Sequence, residues 1–176
     1  MAVTVFNNDV VVNGTLSASG MTLPSSVVAN AQVAATAGIT VGKTDHLHKI
    51  GTNFGIEADT APSTSTTYTF TAFVASGACT VRLFKCTILD SGSQANTNDF
   101  NFNIKKGGVG SESLSTMLSS VVALDSDTTD NTPSAGNLTT TTLVAGDVVV
   151  LEVVTPGTIT GAHGIFSWVE ISEAAN

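Results

Sequence analysis

His46 and His48, separated by Leu47, are spaced like metal ligands. On a strand, residues i and i+2 project from one face, so both imidazoles would point the same way. Three copies around an axis would then offer six imidazoles to one ion. The plainer reading is a polar junction between two parts of the chain, and it assigns no metal. Asp125, Asp127 and Asp130 suggest calcium, but their run lacks the glycine and closing glutamate of a dedicated loop and reads as a solvated acidic turn. Gly107-Gly108-Val109-Gly110 is not followed by Lys-Ser or Lys-Thr, so it reads as a hairpin loop and not as a phosphate cradle. His163, between Ala162 and Gly164, reads as a turn residue.

No nucleophile motif, dinucleotide fingerprint or zinc pattern is present, and the charged groups form no acid–base pair. The expectation is a protein that is not an enzyme and needs no cofactor. Cys79 and Cys86 fall in one predicted strand. Seven residues at about 3.3 Å each separate them by about 23 Å, beyond disulfide reach, and the odd spacing assigns them to opposite faces. They are expected to be free thiols of a protein made in a reducing cytosol.

The elements that must position these residues are unevenly distributed. Phe6 apart, every Phe, Tyr and Trp lies at or beyond Phe54, so the material for a core is confined to the later part of the chain. Residues 1–50 read as an extended arm and residues 51–176 as a domain. In the arm, Val3, Val5, Phe6, Val10, Val12, Leu16, Leu23, Val28 and Val33 are spaced among small and polar residues. They cannot bury enough surface by themselves to offset a backbone ordering cost of about 1 to 2 kcal/mol per residue. They are candidates for contact with a foreign surface, and Ile39 and Val41 for contact between copies. Residues 27–41 are rich in alanine, but Gly38 and Gly42 interrupt them and favour an extended path.

Beyond residues 58–65, rich in Ser, Thr and Pro, the text is β. Tyr68, Phe70, Ala72 and Val74 alternate with threonines and Phe73, and residues 79–89 form a long strand covered in part on both faces. Phe100, Phe102 and Ile104 against Asn101, Asn103 and Lys105 predict one core face and one wet face. Residues 112–124 fit strand or helix and are assigned to strand. Residues 138–144 and 148–154 are further strands. In the last, residues 165–171, Ile165, Val169 and Ile171 share one face and Phe166 and Trp168 the other. Seven or so strands, with turns about every ten residues, predict an all-β sandwich or jelly roll.

Only 11% of residues are charged and mean hydropathy is +0.30, which predicts a surface largely covered in an assembly. Phe166/Trp168 and Cys86/Ile88 are the apolar pairs a monomer would leave partly wet, and a homotrimer is expected to cover them. The net charge of -8 and scattered basic residues exclude a nucleic-acid partner. No run approaches the roughly 20 apolar residues of a membrane span. No Lys or Arg precedes Lys43, so the basic opening of a secretory signal is missing, and the glycosylation patterns at Asn13 and Asn137 read as coincidental.

The arm phrase NDVVVNGTLSASG, followed by VANAQVAATAGITVGKTDHLHK, resembles the N-terminal parts of tailed-phage head-fibre and capsid decoration (cement) proteins. The later phrases FTAFVASGACTVRLFKCTIL, LVAGDVVVLEVV and GIFSWVEI are similar to the small jelly roll those proteins carry, which also resembles trimeric tumour-necrosis-factor-like modules. The resemblance implies a trimeric virion structural protein, made in the host cytoplasm and bound through the major capsid protein to the outside of the head. A receptor-binding tail-fibre module, or a bacterial surface or carbohydrate-binding jelly roll, are the alternatives. Aromatics on an exposed face would favour sugar binding.

Overall fold

The computed structural model describes residues 46–93, 99–125 and 127–173, and among them every regular element is a strand. One antiparallel sheet, A, orders β1 (His46–Thr52), β10 (His163–Glu173), β3 (Cys79–Asp90) and β7 (Ser134–Ala135), with β8 (Thr142–Leu143) also on β3. The other, B, orders β2 (Thr67–Val74), β9 (Val148–Val154), β4 (Phe100–Gly107) and β5 (Leu114–Thr116), with β6 (Val122–Leu124) also on β4. Through β4 successive strands alternate between the sheets, so each connection crosses from one to the other. The two inner faces share one core, in which Phe84, Phe100 and Phe102 are fully buried. Each such ring contributes up to about 3 kcal/mol by leaving water.

The pattern in β10 is as predicted: Ile165, Val169 and Ile171 are buried, while Phe166 is exposed on the other face. In β3 the parity breaks. Leu83 pairs with Glu170 and Val81 with Ile171, which leaves Arg82 as the extra residue of a β-bulge. The bulge turns Arg82 and Leu83 both away from the core, so that Val81 and Phe84 can both enter it. Cys79 and Cys86 therefore lie on the same inner face, both buried and free. Their odd spacing had assigned them to opposite faces, a rule that holds only for an unbroken pleat. Cys86 and Ile88, expected to be partly wet, are 0% and 1% exposed.

A second shift, between Thr71 and Phe73, brings Phe73 against the core and leaves Val74 exposed. The face of sheet B expected to be wet is partly closed by its own polar groups. Asn103 is buried and accepts a 2.7 Å hydrogen bond from Thr116 Oγ1, and Lys105 Nζ lies 2.6 Å from Glu152 Oε2. Residues 112–124 hold two three-residue strands, and residues 138–144 hold only β8 and a bridge from Leu138 to Leu118. The predicted boundary at residue 50 falls inside β1, which sequence reading assigned to the arm because it lacks aromatics. β1 pairs with β10 from His46↔Glu173 to Thr52↔Ser167, within the compact unit Thr40–Asn176.

Candidate interaction surface

The arm candidates Val3, Val5, Phe6, Val10, Val12, Leu16, Leu23, Val28 and Val33, with Ile39 and Val41, lie outside the described residues. Phe166 and Trp168 are described. In β10 they alternate with core residues, so the pleat turns both outward onto the free face of sheet A. Their ring centroids are 5.9 Å apart, with planes inclined by 37°.

The position opposite Trp168 on the edge strand is Gly51. A Cβ there would lie 2.6 Å from Phe166 Cζ, so the missing side chain is what lets the Phe166 ring lie across β1. An aromatic laid over an edge glycine shields backbone that would otherwise be bare. Around the rings, Lys49 Nζ reaches Glu170 Oε1 at 3.0 Å, Lys85 stands across from Trp168, and Thr87 across from Phe166. Leu47, 52% exposed, lies on the same face of β1 beyond the Lys49–Glu170 pair. An apolar strip flanked by matched charges can bind a flat protein surface, or stack on the apolar face of a sugar ring.

His46 and His48 do share a face, alternating with exposed Leu47. His48 Nε2 lies 3.2 Å from Glu173 Oε2, and its ring sits 5.4 Å from that of Phe73 on the opposite sheet. Ser76 Oγ donates to the other carboxylate oxygen at 2.9 Å. The hydrogen bonds from His48 and then Ser76 hold the Glu173 carboxyl below its usual range. This partnership joins the first strand to the last. Among the described residues no group of three or more His, Cys, Asp or Glu is placed to hold a metal ion.

The acidic turn is built as local capping. Asp125 Oδ1 accepts from the backbone of Asp127, and Asp130 Oδ1 accepts 2.8 Å bonds from the backbone and hydroxyl of Ser91, which lower its pKa. His163 Nδ1 lies 3.0 Å from the Gly161 carbonyl and 4.0 Å from Asp90. Burial pushes the Cys86 thiol up to about 12, and burial followed by the charge of Glu173 raises Cys79.

Sequence reasoning missed Asp147, which it read only as part of a turn. Its carboxylate, 4% exposed, meets Lys106 Nζ at 2.8 Å and the backbone N–H of Val144 at 2.9 Å. These two contacts, the lysine first, hold its pKa below the ordinary value. The only sequence signal was an aspartate following glycine at the start of an apolar strand.

No family model, no curated protein and no solved structure matches this chain.

Proposed function

We propose that the chain is a virion structural protein, a decoration or head-fibre protein whose jelly-roll domain follows an extended N-terminal arm. The arm engages the major capsid protein on the outside of a phage head, and the domain associates as a homotrimer through the Phe166/Trp168 strip. The observation that carries this reading is the strand order, β1-β10-β3-β7 against β2-β9-β4-β5. It supports the double-sheet wrap of a jelly roll, the module the sequence resemblance implies. The outward aromatics on sheet A supply the kind of apolar patch that self-association covers.

Locating the protein in the particle by cryo-electron microscopy tests the reading. Hundreds of copies on the outer shell are expected, and absence from the shell would refute it. Native mass measurement at micromolar concentration tests the oligomer, where a clean monomer refutes the trimer.

A second reading, a receptor-binding fibre tip that recognises a glycan, is favoured by Phe166 and Trp168 standing on a free face beside Lys49, Glu170 and Lys85. A few copies per particle and retention on a glycan array, lost in Trp168→Ala, would support it over decoration.

A further inference from the structure

The cations of the domain are unequally matched. Among the described residues Lys49, Lys105 and Lys106 each meet a carboxylate, at 3.0, 2.6 and 2.8 Å. Arg82 and Lys85 meet none: Arg82 Nε donates to Ser172 Oγ at 2.8 Å, and Lys85 stands across from Trp168. In a chain of net charge -8, both unmatched cations therefore stand on the outer face of sheet A, beside the aromatic pair. The outward strand positions of that face carry Lys49, Arg82 and Lys85 against one carboxylate, Glu170. Glu173 turns instead to His48, and Asp90 to His163.

Two glycines flatten the same face. Gly51 lets the Phe166 ring lie across β1, and a Cβ at Gly164 would lie 2.4 Å from Leu89 Cβ, so Leu89, 44% exposed, covers Gly164 on β10. Leu89, Phe166 and Trp168 thus follow one another across the sheet. Thr87 and Lys85 line them on β3, and the Lys49–Glu170 pair closes the row beyond Trp168. Glu57 and Asp59 flank Ala58, whose carbonyl approaches Gly164 at the Leu89 end, about 13 Å along β3 from Lys85.

We propose that this platform binds a sugar ring that carries a carboxylate, with the ring's apolar face on Phe166 and Trp168 and its acid group on Lys85. The proposal rests on the glycan reading above and names the class of sugar. Stacking on the rings would serve any sugar; the acid is asked for by the unmatched lysine. Cross-strand neighbours have Cβ atoms about 4.5–5.5 Å apart, and the four-carbon stem of Lys85 carries its ammonium past the edge of the Trp168 ring. Beside it, the Lys49–Glu170 pair sets a donor next to an acceptor, which suits hydroxyls that are both. An apolar peptide laid on the same rings would desolvate Lys85 with no counter-charge. The acidic groups elsewhere on the domain do not forbid an anion here, because screening reaches about 8 Å at physiological ionic strength.

Trp168 is the only tryptophan of the chain, so its fluorescence reports this site alone. The full-length protein is titrated with sialyllactose, with a glucuronic acid disaccharide, and with lactose as the neutral counterpart. At low ionic strength at least one acidic sugar is expected to bind about fivefold more tightly than lactose, which is what one exposed ion pair supplies. The preference is expected to fall below twofold at about 1 M salt, where screening reaches about 3 Å. Lys85→Gln is expected to remove the preference and leave lactose within twofold of the wild type, and Phe166→Ala to weaken all three sugars at least fivefold. Both variants are expected to keep the wild-type melting temperature, and Lys85→Gln carries the test if Phe166→Ala does not fold. A preference for sialyllactose alone, or for the disaccharide alone, supports the proposal and names the source of the acid. Acidic sugars that bind within twofold of lactose, or a preference that survives Lys85→Gln, would overturn the proposal and leave the glycan reading standing. No change in Trp168 emission with any of the three sugars at about 10 mM, well above a millimolar Kd, would overturn the glycan reading and this proposal with it.

Discussion

Replacing Ser167 with alanine should stabilise the protein. Ser167 lies on the inner face of β10, between Thr52 on β1 and Cys86 on β3, and is 0% exposed. Its hydroxyl finds no hydrogen-bond partner among the described residues. A buried, unpaired hydroxyl costs about 1–3 kcal/mol relative to its hydrated state. Removing the oxygen opens a void on the order of 10 Å³, which at about 24 cal/mol per Å³ returns only about 0.2 kcal/mol. The net gain is about 1–3 kcal/mol, or an increase of roughly 3–11 °C in Tm for a domain of this size. Urea titration of both proteins at equal concentration, with an unchanged m value, would measure it. Destabilisation by about 1 kcal/mol or more would refute the reasoning, because it would mean the hydroxyl is satisfied, for instance by the Cys86 sulfur or a buried water.

Asp147→Ala removes a charge-assisted bond to Lys106 and a bond to a backbone N–H, and should cost about 2–3 kcal/mol in urea titration. Because the folded carboxyl titrates below its unfolded value, its contribution is fully present above the unfolded pKa and is lost as pH falls through the folded pKa. The wild type should therefore lose stability more steeply than the variant below about pH 4, and parallel acid limbs would contradict this. Cys86, its thiol pushed up to about 12 by burial, should be inert to a thiol reagent at pH 8 in the native protein and react on unfolding; rapid native labelling would show that β3 opens locally. His48→Ala should move the Glu173 carboxyl titration up toward its ordinary range in carbon-detected NMR, and no movement would assign the depression to Ser76 instead.

How much of this was legible in the sequence depended on whether the signal was periodic. β10 was read correctly because its alternation is unbroken from Ile165 to Ile171. β3 was misread because one unpaired residue, Arg82, reverses the parity of everything before it, and the bulge is set by pairing with a distant strand. β1 was assigned to the arm because its inward residues are His46, His48, Ile50 and Thr52, which do not read as a core strand. Its place is fixed by seven register pairs to β10 and by the Glu173 contact, neither of which composition can reveal. The aromatic pair was found from its face, but its setting over Gly51 was not, because that depends on which strand lies next to β10.

The placement of β1 also has a mechanical meaning. Among the described residues it is the edge strand of sheet A and pairs only with β10, and the chain enters it at its His46 end. A load arriving at that end and resisted at the far end of the sandwich pulls along the strand axis. The pairs from His46↔Glu173 to Thr52↔Ser167 then slide in shear and must yield together, where a sideways pull would unzip them one at a time. The same strand is resistant when its tether is drawn lengthwise and peelable when the tether is drawn across the sheet.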